Sequence, residues 1–250
     1  MHRLVICFLM NFVMFCITFA HASPPTPDRA TLEAGVRAEV SKDLDAPYKP
    51  GEELDGRTCL DGRPVSDFEG DIIEYWADLE CSWCSIREPL QAQWENPDLC
   101  IVVRHAPSDN YGESLKKALS YEALKAFSVN AANQFWDSIL PKTKQGIPIP
   151  YGSALLMAFQ DAAIKPEDFS DTLAGEISQM VSRDILTARG RISATPTFVL
   201  EGIRFPACDF KASQLPQALD LARKARSNDT DAQGKIIHII TNGLLNEALL

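Results

Sequence analysis

The sequence lacks an excess of positive charge. Its 24 Lys and Arg residues stand against 34 Asp and Glu residues, which gives a formal net charge of −10 at pH 7. Nucleic acids and anionic lipid surfaces attract proteins through basic patches, so we expect no nucleic-acid partner. The sequence also lacks a long apolar run beyond its first 22 residues, and we expect no later segment to span a membrane.

The long apolar run that is present lies at the start of the chain. Met1-His2-Arg3 is a short basic start, residues 4–20 are almost wholly apolar, and Ala20-His21-Ala22 forms a small-x-small site before Ser23. This order is typical of a secretory signal peptide and its cleavage site. We therefore predict a signal peptide over 1–22 and a periplasmic location. An uncleaved membrane anchor is the alternative, because ~18 apolar residues can span a bilayer.

Cysteine is scarce, and two of the seven residues, Cys7 and Cys16, lie in the predicted signal peptide. The others are Cys59, Cys81, Cys84, Cys100 and Cys208. In an oxidising compartment these five are candidates for disulfides before they are candidates for metal ligands. Because five is an odd number, we expect at least one thiol to be unpaired.

A second close cysteine pair is absent beside Cys81-Ser82-Trp83-Cys84. Structural zinc sites need four ligands, commonly from two close pairs, and the remaining cysteines and the four histidines are scattered. We predict no metal and no cofactor. A zinc site and an inert structural disulfide remain the minor alternatives for this pair.

Hydrophobic patterns predict a βαβ unit around the pair. A stretch rich in β-formers at 71–77 leads into it, a helix is predicted at 85–94, and a second buried strand at 99–104. This order predicts a parallel sheet. A short extended segment is expected earlier, at 57–65.

The second half is predicted to be helical before it returns to strand. Helical periodicity extends from about 112 to 191, with a loop at 141–150. A hairpin is predicted at 197–205 and an amphipathic helix at 210–226. A polar linker is expected at 227–234, and the apolar stretch after it has no role that the pattern indicates.

Residues 23–56 are expected to form an N-terminal extension that contains one helix, capped by Asp28. Its apolar stripe recurs every four residues at Leu32, Val36, Val40 and Leu44. Two interpretations stay open. The stripe packs on the body of the protein, or it pairs with itself in a homodimer.

The Cys81–Cys84 pair is suited to thiol–disulfide exchange, in which the thiolate is the attacking species. At the reference pKa of ~8.5 about 3% of a thiol is ionised at pH 7, whereas a pKa of ~6.5 raises this to about 75%. A helix N-terminus favours the thiolate. We expect Cys81, at the strand-to-helix junction, to be the exposed attacking thiol, and Cys84, one turn further in, to be the buried resolving thiol.

These motifs resemble those of the thioredoxin superfamily, in particular the exported Dsb-type disulfide oxidoreductases. Cys81-Ser-Trp-Cys84 matches the redox pair, and Pro89 matches the proline that kinks the active-site helix. Thr195-Pro196 resembles the residue and cis-proline that lie opposite the sulfurs.

The resemblance implies an α/β, thioredoxin-like fold with an inserted helical domain. The thioredoxin-like domain would cover 57–226, with the insertion at about 112–191 and a C-terminal tail at 227–250. The strand order of that fold also implies a disulfide between Cys59 and Cys100, with Cys208 as the odd thiol. The alternative is that all three are small buried hydrophobic residues.

The resemblance also implies roles for further residues. Glu74 would accept the proton of Cys84 if one residue is looped out before Cys81; otherwise it is an acid at a strand end. A cis Thr195–Pro196 bond would leave the Thr195 backbone free to pair with an extended substrate beside Trp83. The Ser82-Trp83 dipeptide lacks a histidine, so the direction of electron flow is left open.

Together these features predict an exported thiol–disulfide oxidoreductase, an oxidase or isomerase of protein disulfides. Its substrates would be unfolded or cysteine-containing exported proteins, and a membrane-bound redox partner would recycle the cysteine pair. A periplasmic chaperone or assembly factor on the same scaffold is one alternative. A glutathione-dependent transferase or isomerase is another.

Overall fold

The computed structural model describes residues 28–47, 54–108, 112–140, 148–208 and 210–248. The predicted signal peptide at 1–22 lies outside these residues. The α-helices within them are α1 (Arg29–Asp45), α2 (Arg87–Glu95), α3 (Glu113–Phe127), α4 (Val129–Ile139), α5 (Tyr151–Asp161), α6 (Asp171–Ala188), α7 (Leu215–Arg226) and α8 (Thr230–Ala248). In the described part of the chain, no helix has the length and apolar content to cross a membrane.

Four strands form one mixed sheet in the order β2-β1-β3-β4. They are β1 (Asp71–Ala77), β2 (Leu99–His105), β3 (Thr197–Leu200) and β4 (Ile203–Pro206). β1 and β2 are parallel and joined through α2, whereas β3 pairs antiparallel with both β1 and β4. The predicted βαβ unit and hairpin are therefore confirmed.

The sheet is covered on both faces, which explains the long apolar runs of its central strands. All seven residues of β2 are buried. On one face Ile73, Tyr75 and Ile101 join the main core with α4, α7 and α8. On the other face Cys100 and Val102 form a smaller core with the chain around Cys59. A strand that is buried on both faces requires apolar residues at successive positions, without the alternation of apolar and polar residues that a half-exposed strand shows.

The extended segment expected at 57–65 is a tight turn instead. The N–H of Cys59 donates to the Arg63 carbonyl (2.8 Å), and the N–H of Gly62 donates to the Cys59 carbonyl (3.0 Å). Gly62 has a φ of +93°, a conformation that favours glycine. One bridge, between Thr58 and Pro64, remains of the expected strand. The prediction was wrong because the glycine reverses the chain after two extended residues.

The C-terminal prediction also needs correction. The stretch expected to be a polar linker followed by an unassigned tail contains α8, which begins at Thr230. Ile236, Ile237 and Ile240 are buried in the main core. α8 packs against α7 and α1 and completes the core on that side.

The stripe of α1 packs within the chain. Val36 and Val40 are buried, and Asp43 accepts hydrogen bonds from the N–H (3.0 Å) and the guanidinium (2.9 Å) of Arg204 on β4. α1 thereby covers the edge of the sheet and satisfies an outward-facing amide of the edge strand. The first interpretation, that the stripe packs on the body of the protein, describes Val36 and Val40 in this chain.

Cys59 and Cys100 form the disulfide that the resemblance implied. It fixes the turn at 59–63 to β2, where the N–H of Leu60 also donates to the Ile101 carbonyl (2.9 Å). Cys208 is a buried free thiol.

Removal of this disulfide is expected to destabilise the protein. The bridge spans 41 residues, and closure of a loop of this length corresponds to about 4 kcal/mol in the chain-entropy description. We expect the double variant Cys59→Ala/Cys100→Ala to lose up to about that free energy of unfolding in urea titrations at pH 7. Cys208→Ala, the control for loss of a buried sulfur, should lose far less. Equal losses would contradict a structural role for the disulfide.

The insertion, α3 to α6, is attached to the sheet through buried charges. Arg104 on β2 pairs with Asp184 of α6 and with Glu74 of β1 (2.9 Å). Arg57 pairs with Asp184 as well (2.6 Å), and His105 contacts Glu122 of α3 at 2.8 Å. Each carboxylate faces a cationic or hydrogen-bonding partner, as burial of charge requires.

Glu122 makes the stability of this cluster depend on pH. Burial acts to raise its pKa, but Lys125, the hydrogen bond from His105 and the Arg57 guanidinium hold the pKa at about 2, below the ordinary 4.5. A depressed carboxylate pKa contributes stability that is fully present above the unfolded-state value and is lost as the pH falls.

We expect acid to remove roughly 3 kcal/mol through this group between about pH 4.5 and 2. Urea unfolding at steps between pH 7 and pH 2.5 measures it. Glu122→Gln should already be less stable at pH 7, because it removes the carboxylate that faces the buried Lys125 and leaves Arg57 with Asp184 as its carboxylate partner, and its acid limb should be flatter. If the free energy of unfolding of Glu122→Gln fell with acid as steeply as that of the wild type, the loss could not be assigned to Glu122.

Candidate redox-active site

The cysteine pair lies in a turn between β1 and α2. The N–H of Cys81 donates to the Asp78 carbonyl, and the N–H of Cys84 donates to the Cys81 carbonyl, both at 3.0 Å. The helix begins three residues after Cys84, at Arg87, whose N–H donates to the Ser85 hydroxyl (3.2 Å). The expectation that Cys84 lies one turn inside the helix was therefore wrong.

Pro89 has a different position from the one that the resemblance implied. It is the third residue of α2 and therefore lies in the first turn. Amides there have no partner within the helix, so a missing N–H costs no hydrogen bond. Pro89 thus helps to start α2 and does not interrupt it.

The two thiols differ in exposure and acidity. Cys81 is half-buried, whereas Cys84 is fully buried. The hydrogen bond from the Cys84 thiol is the main cause that lowers the pKa of Cys81 to about 6; burial opposes it, and the Thr195 side chain and the backbone N–H of Trp83 add to the lowering. Burial first, and then Cys81 itself, raise the pKa of Cys84 well above the ordinary value.

The second sequence motif meets the first at this point. The Thr195–Pro196 bond is cis. The Cys81 thiol donates to the Thr195 carbonyl with an Sγ–O distance of 3.3 Å. The Pro196 carbonyl accepts the N–H of Ala207 (2.8 Å), which ties this loop to the end of β4. Residues 114 positions apart in the sequence thereby line one site.

Trp83 presents an apolar surface beside the exposed thiol. Its side chain is 45% exposed, which is unusual for a large aromatic residue. It lies within the turn that carries Cys81 and Cys84, on the solvent side of the pair.

Glu74 lies on the wrong face of the sheet to take the proton of Cys84. Tyr75, the next residue, belongs to the main core together with Cys84, and successive side chains of a strand point to opposite faces. Glu74 instead binds Arg104 and accepts a hydrogen bond from the Trp76 indole (3.1 Å). Glu74 is thus an acid of the buried charge cluster in the middle of β1, and neither the proton acceptor of Cys84 nor an acid at a strand end.

A buried carboxylate, that of Asp78, lies three residues before Cys81 and was not singled out from the sequence. It accepts hydrogen bonds from the N–H of Glu80 (2.9 Å), the N–H of Ser108 (2.8 Å) and the Ser114 hydroxyl. These bonds join the turn after β1 to the loop after β2 and to α3. Asp78 also borders a cavity of about 300 Å³ that Thr195 lines.

Two further side chains hold the backbone of the motif. The indole N–H of Trp136, on α4 of the insertion, donates to the Cys84 carbonyl at 2.9 Å. The hydroxyl of Tyr75 donates to the Ser85 carbonyl at the same distance. The sequence singled out neither side chain for this role, because an apolar pattern does not reveal where a polar tip points.

Charges around Cys81 partly compensate one another. Glu80 precedes Cys81, and its negative charge opposes ionisation of the thiol, but it forms an ion pair with Lys117 of α3. Within the described residues there is no group of three or more His, Cys, Asp or Glu side chains with the arrangement of a metal site.

We expect Cys81 in the reduced protein to ionise with a midpoint near pH 6. Thiolate absorbance at 240 nm, followed against pH, measures it. Cys84→Ala removes the donated hydrogen bond and should raise the midpoint by about one to two pH units, since a hydrogen bond to a charged group contributes ~1.5–3 kcal/mol. Cys84→Ser keeps a donor and should stay closer to the wild type. Equal midpoints in the two variants would exclude this hydrogen bond as the cause.

Solved structures with the same fold include proteins that are named for thiol–disulfide exchange or oxidoreductase activity. One is the thiol-disulfide exchange protein alpha-DsbA2 from Wolbachia pipientis, with a TM-score of 0.53 and 18% identity over 76% of this chain and 97% of that chain. Another is a thioredoxin-like oxidoreductase from Silicibacter pomeroyi, with a TM-score of 0.52 and 20% identity over 71% and 99%. A linker-deletion variant of ScsC from Proteus mirabilis has a TM-score of 0.50 and 16% identity over 78% and 86%.

The comparisons by sequence give no counterpart, since neither a family model nor a curated protein matches the chain. The structural matches cover nearly the whole of the first two neighbours, at identities that establish the fold alone. The chain has the α/β, thioredoxin-like fold with a helical insertion, and in this architecture it is similar to Dsb-type thiol–disulfide exchange proteins.

Proposed function

We propose that this protein is an exported thiol–disulfide oxidoreductase that acts on the cysteines of other exported proteins. One observation carries the proposal. A half-buried thiol with a pKa of about 6, Cys81, lies 3.3 Å from the backbone carbonyl of Thr195, with a buried second thiol, Cys84, behind it. Such a pair can hold a disulfide, accept attack on its outer sulfur, and release its inner sulfur.

The exchange proceeds in two steps that transfer two electrons. A substrate thiolate attacks Sγ of Cys81 in the oxidised pair; the Cys81–Cys84 bond breaks, and Cys84 leaves and takes a proton. A second thiolate of the substrate then attacks the substrate sulfur of the mixed disulfide. The bond between that sulfur and Cys81 breaks, and Cys81 leaves as a thiolate. The substrate gains a disulfide, and the protein is left with two thiols.

The acidity of Cys81 favours the oxidase direction. With a pKa of about 6, about nine-tenths of Cys81 is thiolate at pH 7. A stable thiolate is a good leaving group, and it stabilises the reduced form of the protein, which makes the disulfide form a stronger oxidant. A dimer through the α1 stripe would favour an isomerase, and the buried residues of that stripe are packed within this chain.

The substrate would lie against Trp83 and the cis-proline loop. Backbone groups of Thr195 are suited to pair with an extended polypeptide, because β3 begins only at Thr197. An unfolded chain offers such a segment, whereas a folded one has its backbone already paired. A membrane-bound partner that reoxidises the pair, and the periplasm as location, belong to the same proposal.

We expect the oxidised protein to introduce disulfides into a reduced, unfolded protein, measured by the loss of substrate thiols. Cys81→Ser should reduce the rate to the uncatalysed background, since no attackable sulfur remains at the exposed position. Cys84→Ser cannot hold the Cys81–Cys84 disulfide and should also fall to the background with this reduced substrate. With a disulfide-bonded substrate such as insulin, it should accumulate a mixed disulfide between Cys81 and the substrate, visible by mass spectrometry, because no Cys84 thiolate is present to displace the substrate sulfur.

Insulin reduction by the same three proteins reports the reverse direction. A wild type that behaves like Cys81→Ser in both assays would refute the redox proposal. If the wild type in that case still prevented aggregation of the substrate, a chaperone function on this scaffold would replace the redox proposal.

A further inference from the structure

A second cavity, of about 510 Å³, lies beside the segment 190–193, which precedes the cis-proline loop. Its walls come from α1, α8, β4 and the segment 190–193, so it depends on two helices outside the predicted domain at 57–226. The apolar part of the lining is aliphatic: Leu32, Val36, Val40, Ile192, Ile240 and Leu244.

Gly35 contributes to the size of this cavity. It lies in the middle of α1, where glycine costs about 1 kcal/mol relative to alanine. A Cβ at this position would meet no atom within 4 Å. Any larger side chain here would extend toward the space that Gly35 lines.

The charged groups at the rim satisfy one another. Arg204 pairs with Asp43 (2.7 Å) and with Glu39 (3.1 Å), and its guanidinium also donates to the Arg191 carbonyl (2.7 Å). An occupant therefore needs no charge of its own. An uncharged aliphatic group fits both the walls and the rim, as in other sites that combine an apolar lining with few polar groups.

The cavity shares part of its lining with the cavity beside the redox site. Ile192 and Ser193 line both this cavity and the one that Thr195 and Asp78 border. Ser193 is exposed and precedes Thr195 by two residues. Because an extended chain advances ~3.3 Å per residue, a polypeptide paired with Thr195 reaches Ser193 within about two to four residues.

We propose that this cavity receives an aliphatic side chain of the substrate polypeptide, two to four residues from the cysteine that bonds to Cys81. The inference rests on the proposed function and adds a preference to it. The protein would select unfolded chains with Leu, Ile or Val close to a cysteine. Such segments belong to the future cores of exported proteins and are exposed only before folding.

The test uses the oxidised full-length protein and two reduced single-cysteine peptides. One peptide carries Leu, and the other Ser, at the second to fourth positions on both sides of the cysteine. The measurement is the second-order rate of mixed-disulfide formation with each peptide. Burial of one leucine side chain predicts a Leu-to-Ser rate ratio of about ten or more for the wild type.

Gly35→Phe fills the cavity and should reduce this ratio to about two or less. Gly175→Phe is the matched control: Gly175 is a helical glycine of α6 where a Cβ also meets no atom within 4 Å, and it does not line the cavity. It should keep the wild-type ratio. Circular dichroism and the thermal midpoint establish that each variant is folded, and Gly35→Leu, with a stronger helix former, repeats the test.

The outcomes separate the two proposals. If neither peptide reacts with the wild type faster than with Cys81→Ser, the redox function fails. If both react and the wild-type ratio is near one, or if folded Gly35→Phe keeps the wild-type ratio, the redox function stands and the cavity is not a substrate site.

Discussion

The pairing of β3 with β1 is the constraint on which the site depends. Thr197, the first residue of β3, lies opposite Trp76 near the end of β1. β1 ends four residues before Cys81, and β3 begins two residues after Thr195, so one register brings both loops to the same edge of the sheet. The 3.3 Å contact between Cys81 and Thr195 is a consequence of this register. A slip by one residue would turn every side chain of β3 to the other face.

The helical insertion takes part in the site and is held to the sheet by charge. Asp184 and Glu122 bind cations and amides of β2, which fixes α6 and α3 against the strand. α4 packs on α3, and from there Trp136 reaches the Cys84 carbonyl. Buried ion pairs add little net stability compared with apolar contacts, but they penalise every arrangement that separates them. The insertion thus has one well-defined position relative to the cysteine pair.

The features that sequence predicted are those with local or periodic causes. The apolar runs of β1 and β2, the hairpin and the cis-proline position all carry their pattern within a few residues. Glu74 and the start of α2 have no such local pattern. The side of the sheet that Glu74 faces depends on which residues of β1 point to the main core. Its partner, Arg104, belongs to a strand that is mostly apolar. α8 was missed because its isoleucines are buried by α1 and α7, neighbours that no local pattern identifies.

The opposite acidities of the two thiols also set the order of events in exchange. Besides burial, the hydrogen bond and the charge of Cys81 raise the pKa of Cys84. Once Cys81 is bonded to a substrate sulfur, it is no longer a thiolate and no longer shares this hydrogen bond with Cys84. Of the three causes that raise the pKa of Cys84, only burial then remains. The side chain of Thr195 and the backbone of Asp78 still favour the Cys84 thiolate. When the exchange runs in the reducing direction, Cys84 must attack the mixed disulfide, and it becomes easier to ionise at that stage, since the protons of the pair are coupled.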